Sequence, residues 1–394
     1  MGRAGGTRRL SAAPKLDDTA LLERLVAFDT TSRLSNLPLV DFVGDYLDRP
    51  DVSLTRLASP DGTKANLLVR AGPAAEDAGG LTLSGHMDVV PAEEPDWRSD
   101  PFRLTRSGDT WVGRGAADMK GFLALAINRL AGLNPARLRR PLALLLTYDE
   151  EVGTVGARHF AETADASAAL PRDVVIGEPT SLRVVRLHKG MLRIELVFHG
   201  RAAHSGYPHL GRNAIEPAAR AIAALAELRA TMERERPAHG EHFPEVPYAA
   251  LNIGVVQGGS AANVIPDRCS VQLGVRLLPG MRAGEVADRI REAVALALPG
   301  ERFEVATLGE SPAMLLDEGA ELHRELSGLL RQSGTESVAF ATDAGWLQRV
   351  GYRCVIFGPG DIRVAHRSNE FVPIAELKRA GMVLDELIRR RCLA

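Results

Sequence analysis

Hydrophobic positions in the first part of the chain follow two patterns. Some segments place apolar residues every three or four positions, which is the spacing of one helix face, while others are short apolar runs next to glycine. The first pattern predicts helices over 19–28, 37–47, 119–130 and 152–160. The second predicts strands over 66–69, 81–84, 142–147 and 174–177. Short buried strands that alternate with helices predict an α/β domain with a mixed, largely parallel sheet.

The order of elements changes between residues 191 and 310. We expect strands over 192–199, 249–257, 269–277 and 302–307, and helices over 212–234 and 283–298. In chain order this is β-α-β-β-α-β, the order of a ferredoxin-like α+β domain. Residues 271–276 alternate apolar and polar side chains, which is typical of a sheet with one exposed face.

The α/β pattern returns near residue 311, with a helix over 318–332, a strand over 354–357 and a helix over 373–389. The sequence therefore predicts a discontinuous catalytic domain over 16–182 and 311–394, interrupted by an inserted domain over 183–310. Residues 1–15 contain basic and small residues without a hydrophobic segment, and we expect a flexible N-terminal tail there. A transit-like peptide is the alternative for this tail.

Composition and charge exclude several classes of partner. The 394 residues are 45% hydrophobic and 25% charged, close to the average of globular proteins. Lysine and arginine number 48 and aspartate and glutamate 50, giving a net charge of −2, so the chain has little electrostatic attraction for nucleic acid or an anionic membrane. No apolar run approaches the roughly 20 residues that span a bilayer. We expect a cytoplasmic protein with neither nucleic acid nor membrane as partner.

The cysteines add a further exclusion. Cys269, Cys354 and Cys392 lie far apart and form no CxxC pair. This spacing argues against both a thiolate zinc site and a disulfide framework.

Metal-competent side chains follow several predicted strands of the α/β domain. They are His86, Asp88, Glu150, Glu151, Glu178 and His366, while Asp118 lies in the glycine-rich turn 113–121 that begins a helix. In open α/β sheets, ligands bind in the crevice beyond the carboxyl ends of the strands. We therefore expect these side chains to converge on one crevice.

Two imidazoles and at least three carboxylates in one crevice would repel one another unless cations neutralised them. Histidine nitrogen and carboxylate oxygen are suitable ligands for zinc, with cobalt or manganese as substitutes. Five ligands suit two metals with a bridging carboxylate and a shared water or hydroxide. Asp88 is placed to accept the free N–H of His86 or of a neighbouring imidazole.

Each of these motifs taken alone is typical of a surface turn or the start of a loop. A phosphate loop at 113–121 is excluded because the segment lacks GxxxxGK[ST] and its central acid would repel phosphate. The repetition at several strand ends favours a metal hydrolase.

Five segments together resemble the dinuclear-zinc amidohydrolase and peptidase family that includes acetylornithine deacetylase, succinyl-diaminopimelate desuccinylase, aminoacylase and carboxypeptidase G. These segments are SGHMDVVP, GRGAADMKG, YDEEVGTVGA, IGEPTS and FGPGDIRVAH, and the similarity extends over nearly the whole chain from Leu21. The resemblance implies that His86 and Glu178 hold one zinc, that Glu151 and His366 hold the other, and that Asp118 bridges them. It also implies that Asp88 orients the metal site and that Glu150 is the general base.

The inserted domain resembles the dimerisation, or lid, domain of the same family. Its segment GRAAHSG implies a homodimer in which His204 reaches the partner's active site and steadies the oxyanion. By the same resemblance, Asn263 would hold the scissile amide and Arg276 the substrate carboxylate, which suits the fork of an arginine. The alternative for Arg276 is a solvent-facing strand residue.

Within the family, residues 30–33, 37–46, 100–102, 117–121 and 187–190, and His366 with Glu370, are similar to the acetylornithine deacetylases. This similarity implies that the substrate is N²-acetyl-L-ornithine, cleaved to L-ornithine and acetate in arginine biosynthesis. Asp343 departs from the glutamate expected after Thr342, which leaves the side-chain preference open. The alternatives are a succinyl-diaminopimelate desuccinylase, another N-acyl-amino-acid deacylase, a di- or tripeptidase, and a metal-binding protein without catalysis.

Overall fold

The computed structural model describes residues 16–73, 79–163 and 170–393. The predicted tail at 1–15 lies outside the described residues. The described α-helices are α1 (Asp18–Val26), α2 (Leu37–Leu47), α3 (Lys120–Gly132), α4 (Val155–Glu162), α5 (Ile215–Met232), α6 (Ala283–Ala297), α7 (Glu321–Leu330), α8 (Ala344–Arg349) and α9 (Ile374–Ile388).

The described strands are shorter on average and more numerous than the sequence pattern predicts. They are β1 (Val52–Ala58), β2 (Ala65–Ala71), β3 (Leu81–His86), β4 (Thr105–Ser107), β5 (Thr110–Val112), β6 (Leu142–Thr147), β7 (Asp173–Ile176), β8 (Val185–His188), β9 (Gly190–His199), β10 (Ala203–His204), β11 (Ala250–Gly258), β12 (Val264–Ile265), β13 (Arg268–Leu277), β14 (Phe303–Ser311), β15 (Met314–Leu315), β16 (Glu336–Val338), β17 (Arg353–Ile356) and β18 (Phe371–Pro373).

Contacts within the chain divide it into two units. The first comprises the described parts of Met1–Glu151, Glu162–Leu182 and Phe357–Ala394, and the second comprises Val152–Ala161 and Arg183–Ile356. The second unit runs beyond residue 310, where the inserted domain is predicted to end. The domain boundaries proposed from the sequence stay a prediction.

The sheet of the first unit contains β1, β2, β6, β3 and β7 in that order. β3 runs parallel to β6 and β7, whereas β2 runs antiparallel to β1 and β6. Every residue of β3, β6 and β7 is buried, as expected for parallel strands covered on both faces. The prediction of an α/β unit with a mixed, largely parallel sheet is confirmed.

Gly177 allows this sheet and α3 to approach each other closely. A Cβ atom at Gly177 would lie 1.9 Å from the ring of Phe122, so no larger residue fits between β7 and α3 without displacing that ring. Glu178 follows directly. The tight packing therefore fixes the place at which the chain leaves β7 and delivers this carboxylate.

The second unit contains a four-stranded antiparallel sheet in the order β11, β13, β9 and β14. Together with α5 and α6, these strands have the β-α-β-β-α-β order of the predicted ferredoxin-like fold, which is confirmed. Alternate residues of the central strands enter one core, as shown by Leu192, Ile194 and Leu196 of β9. Leu225 of α5 and Ile290 of α6 belong to the same core.

The hydrophobic pattern does not predict several of the strands, because they are short or carry polar residues. β1 alternates half-buried and exposed side chains and includes Thr55 and Arg56. β8 is buried throughout although Arg186 and His188 occupy two of its four positions. In both segments apolar and polar residues alternate over only four positions, 52–55 and 185–188, which is at the lower limit of the length that indicates a strand.

Two further observations concern the cysteines and the helices. Cys269, Cys354 and Cys392 are buried free thiols. Among the residues that the structure describes, no helix is both long and apolar enough to cross a membrane.

Candidate metal centre

Five side chains of the first unit form two overlapping groups. His86, Asp118 and Glu178 each offer a ligand atom within 4.8 Å of the others, and so do Asp118, Glu151 and His366. Asp118 belongs to both groups. The structure thus brings together the five residues that the sequence nominates as metal ligands, with Asp118 in the shared position.

The two carboxylate oxygens of Asp118 face different histidines. Oδ1 lies 2.9 Å from Nε2 of His86, and Oδ2 lies 3.4 Å from Nε2 of His366. Nε2 of His366 is also 3.0 Å from Oε2 of Glu151. His86 and Asp118 are almost fully buried, whereas 48% of the His366 side chain is exposed, so small molecules can reach the centre on the His366 side.

The charges of this centre are strongly coupled. Burial favours a neutral Asp118, but hydrogen bonds from His366 and His86 hold its pKa well below the usual range. Hydrogen bonds to Asp118 and Glu151 raise the pKa of His366 to about 10. Burial would lower the pKa of His86, yet Asp118, Glu150 and Asp88 raise it well above its ordinary value. Burial and the charge of Asp118 raise the pKa of Glu151 to about 7.

The charges around the two imidazoles fit a site for divalent cations. The neighbouring carboxylates raise the pKa of both imidazoles and so favour positive charge at this centre. Metal binding requires neutral imidazole and ionised carboxylate, and cations would supply that positive charge instead. Two nitrogen and three carboxylate ligands are a donor set that zinc and cobalt accept.

The backbone adopts uncommon conformations beside the ligands. Asp149 and His366 have φ angles of 52° and 61°, in the left-handed region that residues other than glycine seldom occupy. Such residues persist where the surrounding structure holds them, often at functional sites. Here the conformation turns the chain immediately before Glu150 and at His366 itself.

Asp88 supports the centre in a different way from the predicted one. The backbone oxygen of Asp88, not its carboxylate, accepts the hydrogen bond from Nδ1 of His86 at 2.9 Å, while the nearest carboxylate oxygen is 3.7 Å away. The carboxylate accepts the backbone N–H groups of Glu150 at 3.0 Å and Glu151 at 3.2 Å, and the hydroxyl of Ser32 at 2.8 Å. Asp88 therefore positions the turn that carries both glutamates.

Glu370 is a buried carboxylate beside the centre to which the sequence analysis gave no role. It is 1% exposed, and its Oε1 accepts the backbone N–H groups of Ala117 and Asp118, each at 3.0 Å. Its Oε2 accepts a hydrogen bond from Arg114 at 2.9 Å. The same guanidinium nitrogen donates to the backbone oxygen of Arg367 at 3.2 Å.

The Glu370–Arg114 pair thus joins the turn that carries Asp118 to the residue after His366. The two partners are 256 positions apart, and no spacing rule relates them. The signals in the sequence were the placement of Arg114 in the glycine-rich turn and the similarity of His366 with Glu370 to the acetylornithine deacetylases.

Two lysines compensate the remaining negative charge. Nζ of Lys64 donates to the backbone oxygen of Ser32 and pairs with Asp149, the residue before Glu150. Lys120 is fully buried and donates to the backbone oxygen of Phe28 at 2.7 Å. Burial lowers the pKa of Lys120 to about 7, although neighbouring carboxylates oppose that shift.

In the second unit, the structure brings two of the three predicted substrate-binding residues together. His204 is exposed on β10, and its Nδ1 accepts the N–H of Gly206 at 3.0 Å. The next residue, Ser205, donates its backbone N–H to the backbone oxygen of Asn263 at 3.0 Å, and Asn263 is also exposed. The roles assigned to His204 and Asn263 stay predictions.

Arg276 lies on β13 beside two buried basic residues. Burial, reinforced by the charge of Arg276, lowers the pKa of His188 to about 4 and that of Lys189 to about 8. Nε2 of His188 lies 3.1 Å from Oγ1 of Thr342, and Asp343, which follows Thr342, is 1% exposed. The substrate-binding role of Arg276 stays a prediction.

The chain is similar to proteins of one family over almost its whole length. The profile of Peptidase family M20/M25/M40 matches residues 82–390. Acetylornithine deacetylase from Myxococcus xanthus is 36% identical over 382 residues, which cover 95% of this chain and 97% of that protein. Acetylornithine deacetylase from Proteus mirabilis is 33% identical over 392 residues, covering 98% and 96%.

Solved structures share the fold. An M20 family metallo-carboxypeptidase from Sulfolobus solfataricus matches with a TM-score of 0.74 and 20% identity, covering 95% of this chain and 98% of that one. A dinuclear metal binding peptidase of the M20 family from Bacillus subtilis matches with a TM-score of 0.66 and 18% identity, covering 94% and 97%. At these identities the likeness concerns the fold.

We predict that Glu370→Gln weakens metal binding. The new amide must turn its NH₂ group toward either Arg114 or the N–H groups of Ala117 and Asp118, so one set of hydrogen bonds is lost. Since the loss of such an outer partner costs about 10–100-fold in metal affinity, we expect a rise of that size in the Kd of the metal-free protein for Zn²⁺ or Co²⁺, measured by calorimetry.

The matched control is Glu94→Gln. Glu94 also pairs with Arg114, but 34% of its side chain is exposed. The backbone N–H groups of Ala117 and Asp118 donate to Glu370 and not to Glu94. The control should keep the wild-type Kd. Equal affinities of the two variants, with unchanged melting temperatures, would rule out a positioning role for Glu370.

Proposed function

Because the chain belongs to Peptidase family M20/M25/M40, we propose that it removes the acetyl group from N²-acetyl-L-ornithine, giving L-ornithine and acetate. Its family and its relatives make it a metallo-amidohydrolase. The observation that supports this substrate is the 33–36% identity to acetylornithine deacetylases over nearly the full chain, combined with the five converging ligands.

The five ligands would hold two divalent cations, most suitably Zn²⁺, with Co²⁺ as an alternative. His86 and Glu178 would hold one ion and Glu151 and His366 the other, with Asp118 shared between them. When bound, such ions lower the pKa of water and polarise a carbonyl oxygen. The opposed orientation of the two Asp118 oxygens supports this assignment.

Glu150 would act as the general base. Its carboxylate takes a proton from the attacking water, whose oxygen bonds to the acetyl carbon. When the C–N bond breaks, Glu150 returns that proton to the leaving amine, and acetate and L-ornithine depart. Two features support the role: the carboxylate of Asp88 accepts the backbone N–H of Glu150, and the charge of Glu150 contributes to the raised pKa of His86.

The second unit would bind the rest of the substrate. Arg276 would pair with the substrate carboxylate, and Asn263 would hold the scissile amide. His204, supplied by the partner of a homodimer, would stabilise the oxyanion. His204 and Asn263 are both exposed, which supports a role in contacting substrate or a partner subunit. The edge strand β11, with Val256 52% exposed, offers apolar surface to a second copy.

The function predicts metal-dependent release of acetate. Purified protein should hydrolyse N²-acetylornithine faster than N-succinyl-diaminopimelate, other N-acetyl amino acids and di- or tripeptides with a free amino group. A chelator should abolish the activity, and Zn²⁺ or Co²⁺ should restore it. The reason is that the bound cations would lower the pKa of the attacking water and polarise the acetyl carbonyl. If the protein hydrolyses N-succinyl substrates or free peptides fastest, the proposed substrate is wrong and the protein acts on that class instead.

Glu150→Gln should retain the metals and lose most turnover. General base catalysis typically contributes about 10²–10⁴-fold, and we expect kcat to fall within that range. The matched control is Asp149→Asn, one residue earlier, because that carboxylate pairs with Lys64. Metal content and kcat are measured on the same samples. A metal-replete Glu150→Gln protein with near-normal kcat would contradict the assignment.

The role of His204 in trans is tested by mixed dimers. His204→Ala and Glu150→Gln are each expected to be nearly inactive as homodimers. Coexpressed, they should form dimers in which one active site combines an intact Glu150 with the partner's His204. Random pairing then restores about a quarter of wild-type activity, since half of the dimers carry one good site of two. Absence of any restored activity in isolated mixed dimers would exclude action in trans.

A further inference from the structure

A second group of metal-competent side chains lies in the second unit, in the turn between α5 and β11. His239, Glu241 and His242 each offer a ligand atom, and these atoms lie within 4.8 Å of one another. We call these three residues the turn triad. None of them belongs to the metal centre of the first unit or to the residues proposed to bind substrate.

The backbone holds the two imidazoles side by side. His239 is left-handed, with φ 66° and ψ 4°, and Gly240–His242 forms a single 3₁₀ turn after it. Residues other than glycine pay a steric penalty in this region, so the surrounding packing must favour the conformation. The rings of His239 and His242 stack with centroids 6.1 Å apart and planes inclined by 17°.

The turn is anchored from beneath. A Cβ atom at Gly240 would lie 2.6 Å from the backbone oxygen of Pro247, so the turn packs directly on that segment. Ser337 donates its hydroxyl to the backbone oxygen of His242 at 2.5 Å, and Phe243 is buried in the core of the unit. The ligand side chains therefore project from a fixed backbone, which lowers the entropy lost when they bind an ion.

The donor set and spacing suit zinc. Two imidazoles and one carboxylate are a recurrent zinc ligand set, completed by water. Nε2 of His242 lies 3.6 Å from Oε1 of Glu241. Ligands about 2.0–2.1 Å from a tetrahedral ion lie roughly 3.3 Å from one another, so small side-chain rotations would complete the geometry. Both imidazoles are half-buried and Glu241 is exposed, which leaves room for water.

We propose that the turn triad binds one divalent transition-metal ion, preferably Zn²⁺, separate from the proposed dinuclear centre. Its role is structural. The backbone oxygens of Val246 and Tyr248, just after the triad, accept hydrogen bonds from the ammonium group of Lys189 at 2.5 and 3.0 Å. An ion on His239 and His242 would clamp the segment that fixes this buried lysine.

The proposal is tested by zinc stoichiometry of the full chain. Metal-free wild type, the double variant His239→Gln/His242→Gln and the control His199→Gln are titrated with Zn²⁺ by calorimetry and then analysed for metal after dialysis. His199 is exposed and pairs with Glu304 at 3.0 Å, without a second imidazole. We expect the double variant to bind one equivalent less than wild type and control, and to keep their turnover.

The three outcomes are distinct. Equal stoichiometry in all three proteins overturns the proposal, as does an extra equivalent that dialysis removes from wild type, which would mark an adventitious ion only.

A second readout is the melting temperature: micromolar Zn²⁺ added beyond two equivalents should raise it in wild type and control but not in the double variant. All three proteins have the same first unit, so the comparison between them does not depend on how many ions that unit binds. If the proposed dinuclear centre fails, all three proteins should bind fewer ions by the same number.

Discussion

The carboxylate of Asp118 sets the central constraint of this protein. It is almost fully buried, and Glu150, Glu151 and Glu178 lie around the same crevice. Carrying a charge into such surroundings costs several kcal/mol unless it is paired and hydrogen-bonded. In the described residues the two imidazoles provide the compensation, each facing a different oxygen of Asp118. The same arrangement suits two cations, because each would supply positive charge beside these carboxylates.

The groups that support Asp118 come from distant parts of the chain. Glu370 holds the backbone of the Asp118 turn, and Asp88 holds the turn of Glu150 and Glu151. Arg114 pairs with Glu370, and Lys64 pairs with Asp149. Many of these hydrogen bonds come from backbone N–H groups. They fix the position of the backbone and leave the carboxylate of the same residue available to a metal ion. Precise placement matters since catalysis depends on holding reacting groups in a productive geometry.

The predictable part of the fold is the part that local pattern controls. The helix at Leu37–Leu47 and the strand at Leu142–Thr147 agree with their predicted bounds because each is a continuous apolar or helical-period segment with clear ends. β8 and β18 were missed, since their burial depends on neighbours that the local sequence does not reveal. The ferredoxin-like order was recognisable because its core strands alternate in the usual way.

The sequence by itself determined which side chains form the candidate centre: residue types at strand ends, and the resemblance they carry, nominate all five side chains that the structure brings together. Only the tertiary structure decided how they are held. It assigned the carboxylate of Asp88 to the glutamate turn, gave Glu370 and Arg114 their role, and brought His239, Glu241 and His242 together. The physical reason is that strand-end position follows from local hydrophobic pattern, whereas a hydrogen bond between residues 256 positions apart exists only once the chain has packed.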